Sequence, residues 1–152
     1  MNRYLIISLF SLLSFISVVK SQGIVEFVEN KGQWDKRVKY RGMTDNGSIF
    51  IRDGGFTILQ SNPGDLQNLY ATLHGNTTAN ATAKRSGPIV VKSHSWNVDF
   101  IGASPEMKII ADKSINTYNN YIIGNDPSKW TSNCGIYQAM TLQNVYPGVD
   151  VR

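Results

Sequence analysis

Ser48-Ile49-Phe50-Ile51-Arg52-Asp53-Gly54-Gly55-Phe56-Thr57-Ile58-Leu59-Gln60 is the stretch on which the fold turns. Two short runs rich in isoleucine, phenylalanine and threonine flank Asp-Gly-Gly, and glycine supplies at no steric cost the positive φ that a tight hairpin loop needs. The reading is an antiparallel hairpin, with Asp45-Asn46-Gly47 as the tight connection into its first strand. Outward from it, short apolar runs recur between Gly, Asn, Asp and Pro at residues 24–29, 38–43, 89–101, 107–111, 118–123, 136–142 and 149–152. Residues 38–43 set Val38 and Tyr40 against Lys39 and Arg41, as in a strand with one wet face. The longest run places His94, Trp96, Val98 and Phe100 on a core face and Ser95, Asn97 and Asp99 on a solvent face. The expected fold is all-β, mainly antiparallel and β-sandwich-like.

Helical periodicity is confined to residues 65–73, where Leu66, Leu69, Tyr70 and Leu73 fall on one face and Asp65 is placed to cap. The stretch 75–87 (GNTTANATAKRSG) is small, polar and without apolar period, and reads as a flexible loop.

The N-terminus has a different character. Arg3 precedes an uncharged apolar run from Tyr4 to Val19, with Val19 and Ser21 at the small-residue positions before a cleavage site. Residues 1–21 therefore read as a secretory signal peptide cut between Ser21 and Gln22, leaving one module, 22–152, with no stable membrane span. The competing reading is an uncleaved anchor. The chain ends inside an apolar alternation, Val149-Asp150-Val151-Arg152, and the expectation is the front part of a longer protein whose last strand lacks a neighbour.

Without Arg3 and Lys20, thirteen basic residues face eleven acidic ones, a formal charge of +2 with no basic stripe, so no nucleic-acid partner is expected. Cys134 is the single cysteine. An internal disulfide is impossible, and the side chain reads as a small buried hydrophobe, the alternative being an exposed thiol or an intermolecular bridge. The chain has no HExxH, CxxC, GxxxxGK[ST] or GxGxxG, and Gly102-Ala103-Ser104-Pro105-Glu106 misses GxSxG at its last position. No cofactor, metal or catalytic residue is implied, although calcium on the Asp-rich turns stays open. His74 and His94 read as structural. The sequons at Asn46, Asn76 and Asn80 have meaning only in a glycosylating host.

Aromatic residues carry the one positive functional signal. Trp34, Trp130, Tyr118 and Tyr121 could present flat faces to a sugar or a partner, or else fill the core.

Three segments carry a resemblance: Phe27-Val28-Glu29-Asn30-Lys31-Gly32-Gln33-Trp34, the run from Tyr118 through Asn125-Asp126-Pro127 to Trp130, and Asn144-Val145-Tyr146-Pro147-Gly148-Val149-Asp150. Together they resemble the N-terminal module of large secreted bacterial proteins that continue into propeller-type (SBBP) repeats and PKD-like domains, often with a sorting domain for type IX secretion. The resemblance implies a β-rich module of unknown function at the outer membrane or outside a Gram-negative cell, followed by downstream domains of the same polypeptide. It supplies no catalytic residues. Cys134-Gly135 departs from it, standing where an aliphatic residue and a proline are more usual.

The expected role is a secreted or cell-surface, non-enzymatic module for adhesion or assembly, with a surface glycan or another extracellular protein as partner. The alternative is a carbohydrate-binding module using aromatic platforms, and a third reading is a secreted hydrolase fragment.

Overall fold

The computed structural model describes residues 25–74 and 88–152. The signal segment with its Ser21 and Gln22 junction, the loop 75–87 and the sequons at Asn76 and Asn80 lie outside the described residues. In chain order the elements are β1 (Phe27–Glu29), β2 (Val38–Thr44), β3 (Gly47–Arg52), β4 (Gly55–Ser61), α1 (Pro63–Leu73), β5 (Ser93–Asp99), β6 (Lys108–Tyr121), a 3-10 turn at Pro127–Lys129, β7 (Thr131–Tyr146) and β8 (Val149–Val151). The strands form one curled antiparallel sheet ordered β5-β4-β3-β2-β1-β7-β6, with β8 along β7. The all-β expectation holds.

The hairpin that opened the sequence reading is β3–β4, closed by Asp53-Gly54, with Gly54 at φ 75°. Asp45-Asn46 turns β2 into β3 as expected. Several boundaries are corrected. Residues 107–111 and 118–123 are not two strands but one, because pairing with β7 carries β6 across its polar middle, at the expense of register shifts and a left-handed Lys113. β8 pairs with β7 on one side, Val151 opposite Leu142 and Val149 opposite Tyr146, and among the described residues no strand pairs with its other side.

The helix starts two residues before the expected position, and its cap is Asn62, whose side-chain oxygen accepts from the Asp65 amide at 3.1 Å. Pro63 fits the first turn, where no amide donor is required. The Asp65 carboxylate instead accepts from the Lys92 amide at 3.1 Å. No residue of α1 is buried, so its Leu66, Leu69, Tyr70 and Leu73 stripe is not a core face.

Register assigns the sheet faces. Tyr40, Ile51, Phe56 and Val98 line up across β2 to β5 on one face, and Ile49, Ile58 and Trp96 beside them. The opposite face carries Arg41, Phe50, Thr57 and Asn97 in one row. Buried apolar side chains come from β1, β3 and above all β7, where Ile136, Met140, Leu142 and Val145 join Cys134. Cys134 is fully buried against Val28 and Ile136, as the hydrophobe reading requires.

The segment Asn30 to Trp34 is organised by one side chain. Asn30 Nδ2 donates to the carbonyls of Val38 (2.7 Å) and Asp35 (2.9 Å), while its Oδ1 accepts from the amides of Gly32 (3.0 Å) and Trp34 (3.2 Å). One amide side chain thus knots the loop, and the knot lowers Trp34 onto the Val28, Cys134 and Ile136 cluster. Gly32, at φ 118°, occupies backbone space that side chains rarely adopt.

Candidate functional site

The four aromatics singled out in the sequence do not form one platform. Trp34 and Tyr121 meet edge to face with ring centroids 5.3 Å apart, and both cover the core cluster. Trp130 is exposed and donates its indole N–H to the Gly124 carbonyl at 3.2 Å, closing its own turn. That turn is built by Asp126, which accepts from the amide and hydroxyl of Ser128 at 3.1 and 2.7 Å. Tyr118 is exposed on β6. Trp34 also packs on Arg41, whose guanidinium carbon lies 5.6 Å from the centroids of both Trp34 and Phe50 and whose Nε donates to the buried Ser48 hydroxyl at 3.0 Å. These contacts lock the loop to the sheet.

The terminal strand β5 is the more distinctive surface. The sequence assigned it a core face, yet all its residues except the half-buried Val98 are exposed, because it is the end of the sheet. His94, expected inside, is exposed and lies 5.5 Å from Trp96, ring centre to ring centre, on the same face. Edge position depends on the order of strands in space, and no local pattern encodes it.

The inward and outward backbone groups of β5 can be told apart. Phe100 donates its amide to Gly54, Lys92 accepts from the Asn62 amide, and the Val98 carbonyl points at Gly55, so the even-numbered residues bond toward β4. Alternation in an antiparallel ladder then turns the N–H and C=O of Ser93, Ser95 and Asn97 to the open side. All seven residues pair with β4 without a register shift, and none is Lys or Pro. The opposite edge, β6, has two irregularities and carries Lys108 and Lys113, features that discourage pairing. Among the described residues no strand occupies the outer side of β5.

Titratable groups show few departures. Asp35 is held at about 2 rather than 3.8, first by the hydrogen bond from the Arg37 side chain and then by the Arg37 amide. A depressed carboxyl stabilises the folded state above its unfolded value, near 3.8, and the contribution disappears as pH falls through about 2. The group is solvent-exposed, so the local titration is the readout, not global stability. An NMR titration of the Asp35 carboxyl should show a midpoint near 2, and Arg37→Gln should return it toward 3.8. An unchanged midpoint in the variant would mean that Arg37 is not the cause. Burial raises the Tyr40 phenol above its ordinary value, with Tyr137 and Glu29 adding to it. Among the described residues no cluster of three His, Cys, Asp or Glu side chains could hold a metal ion, and no helix is long and apolar enough to cross a membrane.

Fold and surface together define an all-β domain whose sheet ends, among the described residues, in an uncovered strand. Residues 27–152 match the DUF7948 family, a domain of unknown function, and the chain belongs to that family. No curated protein and no solved structure matches the chain.

Proposed function

We propose that this domain is a non-enzymatic assembly module of an exported protein, which engages a partner polypeptide by accepting an extended segment alongside β5. The observation that carries the reading is the in-register and uncharged-but-for-Asp99 edge of β5, with the backbone groups of Ser93, Ser95 and Asn97 turned outward. Strand addition draws affinity from main-chain hydrogen bonds and selectivity from alternate side chains, which here would rest beside His94 and Trp96. The signal-like residues 1–21 and the resemblance to head modules of SBBP-repeat, type IX-secreted proteins support a place at the surface of a Gram-negative cell or outside it. In such a protein the downstream repeats and neighbouring surface chains are the natural source of extended segments.

Proline separates this reading from general damage to the strand. At Ser95 it removes an outward amide only, whereas at Trp96 it removes one that bonds to β4. A lysine-flanked peptide of alternating threonine and valine, titrated calorimetrically against the purified domain, is expected to bind. Ser95→Pro should weaken that binding by about tenfold or more, the loss of one to two hydrogen bonds, while keeping the urea midpoint of the parent. Trp96→Pro should lower the midpoint itself. Equal peptide binding by parent and Ser95→Pro, or no binding by the parent, would remove strand addition as the mode of assembly.

A further inference from the structure

The sheet face that carries Arg41, Phe50, Thr57 and Asn97 holds a groove of about 570 Å³ between the Asn30-to-Arg37 loop and the last three strands of the β5 end. Val38 and Phe50 lie along it as apolar lining. One wall is the Asp35 carboxylate with the Arg37 fork bonded to both its oxygens at 2.9 Å. The other wall is the ion pair of Arg52 with Asp99 and, beside it, the Thr57 hydroxyl donating to the Asn97 side-chain oxygen at 2.7 Å.

Charge decides what such a groove can hold. Each arginine already has its own carboxylate, so the lining is neutral overall and an ionic ligand would have to break a pair to gain one. Hydrogen-bonding capacity, by contrast, is plentiful and fixed in place: Asn97 has committed its oxygen to Thr57 and keeps its two amide hydrogens, and Asp99 and Asp35 are half-exposed acceptors held by their arginines. Planar amides, carboxylates and guanidinium groups suit vicinal hydroxyls, and the apolar side chains of Val38 and Phe50 suit the C–H groups of a pyranose. We infer that this groove, lined by Phe50 and flanked by Asn97, Asp99 and the Asp35–Arg37 pair, is a binding site for a neutral saccharide. The site is separate from the outward backbone of β5, since Asn97 and Asp99 reach it with side chains on the sheet face. It also differs from the aromatic platforms expected from the sequence, because Trp130 and Tyr118 are not among its lining residues.

The test is a calorimetric titration of the purified chain with four neutral hexasaccharides, built of β-1,4-glucose, β-1,3-glucose, β-1,4-xylose and β-1,4-mannose, together with NMR mapping of the shifts. At least one is expected to bind, moving the Asn97 side-chain amide and the Arg37 Nε–H signals. Asn97→Ala, at an exposed position, should weaken binding by about tenfold with the unfolding midpoint unchanged. Ser95→Pro should leave saccharide binding intact, which keeps this result independent of strand addition. Failure of all four sugars to bind, unaltered binding by Asn97→Ala, or shifts confined to Trp130 and Tyr118 would each overturn the assignment.

Discussion

Replacing Ile136 by alanine is expected to lower the unfolding free energy by about 3 kcal/mol, within the usual 2 to 5 for a buried isoleucine. Ile136 is 6% exposed, lies opposite Val28 across the β1–β7 ladder and touches the fully buried Cys134. The cover over it comes from Trp34, Ile115 and Tyr121. Whether a cavity collapses decides the size of such a loss, and here collapse is hindered. Trp34 is fixed by the Asn30 knot and by Arg41, and its ring also abuts Tyr121, so it cannot follow the missing methyls inward. Domains of this size are stable by only about 5 to 15 kcal/mol, so the change is a large share of the whole. Urea unfolding should show a lower midpoint at unchanged slope. A loss below about 1 kcal/mol would mean that the Trp34 loop is free to settle, against the rigidity its hydrogen bonds imply.

Ile136 also illustrates what was legible in the sequence and what was not. Turn chemistry was readable residue by residue: Asp53-Gly54, Asp45-Asn46 and Asn125-Asp126-Pro127 all sit where local backbone preferences place them. The strand at residues 136–142 was readable too, as the middle of the longer β7. Alternation misled for residues 89–101, where only Ser93–Asp99 is a strand and its His94 and Trp96 face an uncovered surface. Alternation records which residues share a face, whereas coverage of that face depends on elements far away in the chain. The groove was hidden for a related reason. Asp35 and Arg37 sit in the β1–β2 loop, Arg52 on β3, Thr57 on β4 and Asn97 on β5, and only the strand order brings them together. Nor could spacing reveal that Asn62 rather than Asp65 caps the helix, since both are good caps and Pro63 at the first turn was the discriminating signal.

Gly55→Ala is expected to be about as damaging as a core truncation, near 3 kcal/mol, at a position with no side chain to lose. From sequence, Gly54 and Gly55 both read as turn residues. Gly54 is one, and nothing lies within 4 Å of a Cβ placed on it. Gly55 has a second duty, because it pairs with Asp99, and a Cβ there would fall 2.0 Å from the Val98 carbonyl oxygen. That oxygen belongs to the backbone of β5, so relief requires the strands to part, not a side chain to turn. Parting would strain the Phe100-to-Gly54 hydrogen bond at 2.9 Å and draw Asp99 away from Arg52. The damage should therefore be local as well as global. Amide exchange at Val98 and Phe100 should accelerate well beyond that at Ile136, and saccharide and peptide binding should both fall, since the groove wall and the open edge are parts of one strand. If the variant kept its β4–β5 exchange protection and lost less than about 0.5 kcal/mol, the close approach at Gly55 would be relieved by backbone adjustment at the hairpin, and β5 would be held by something other than its register with β4.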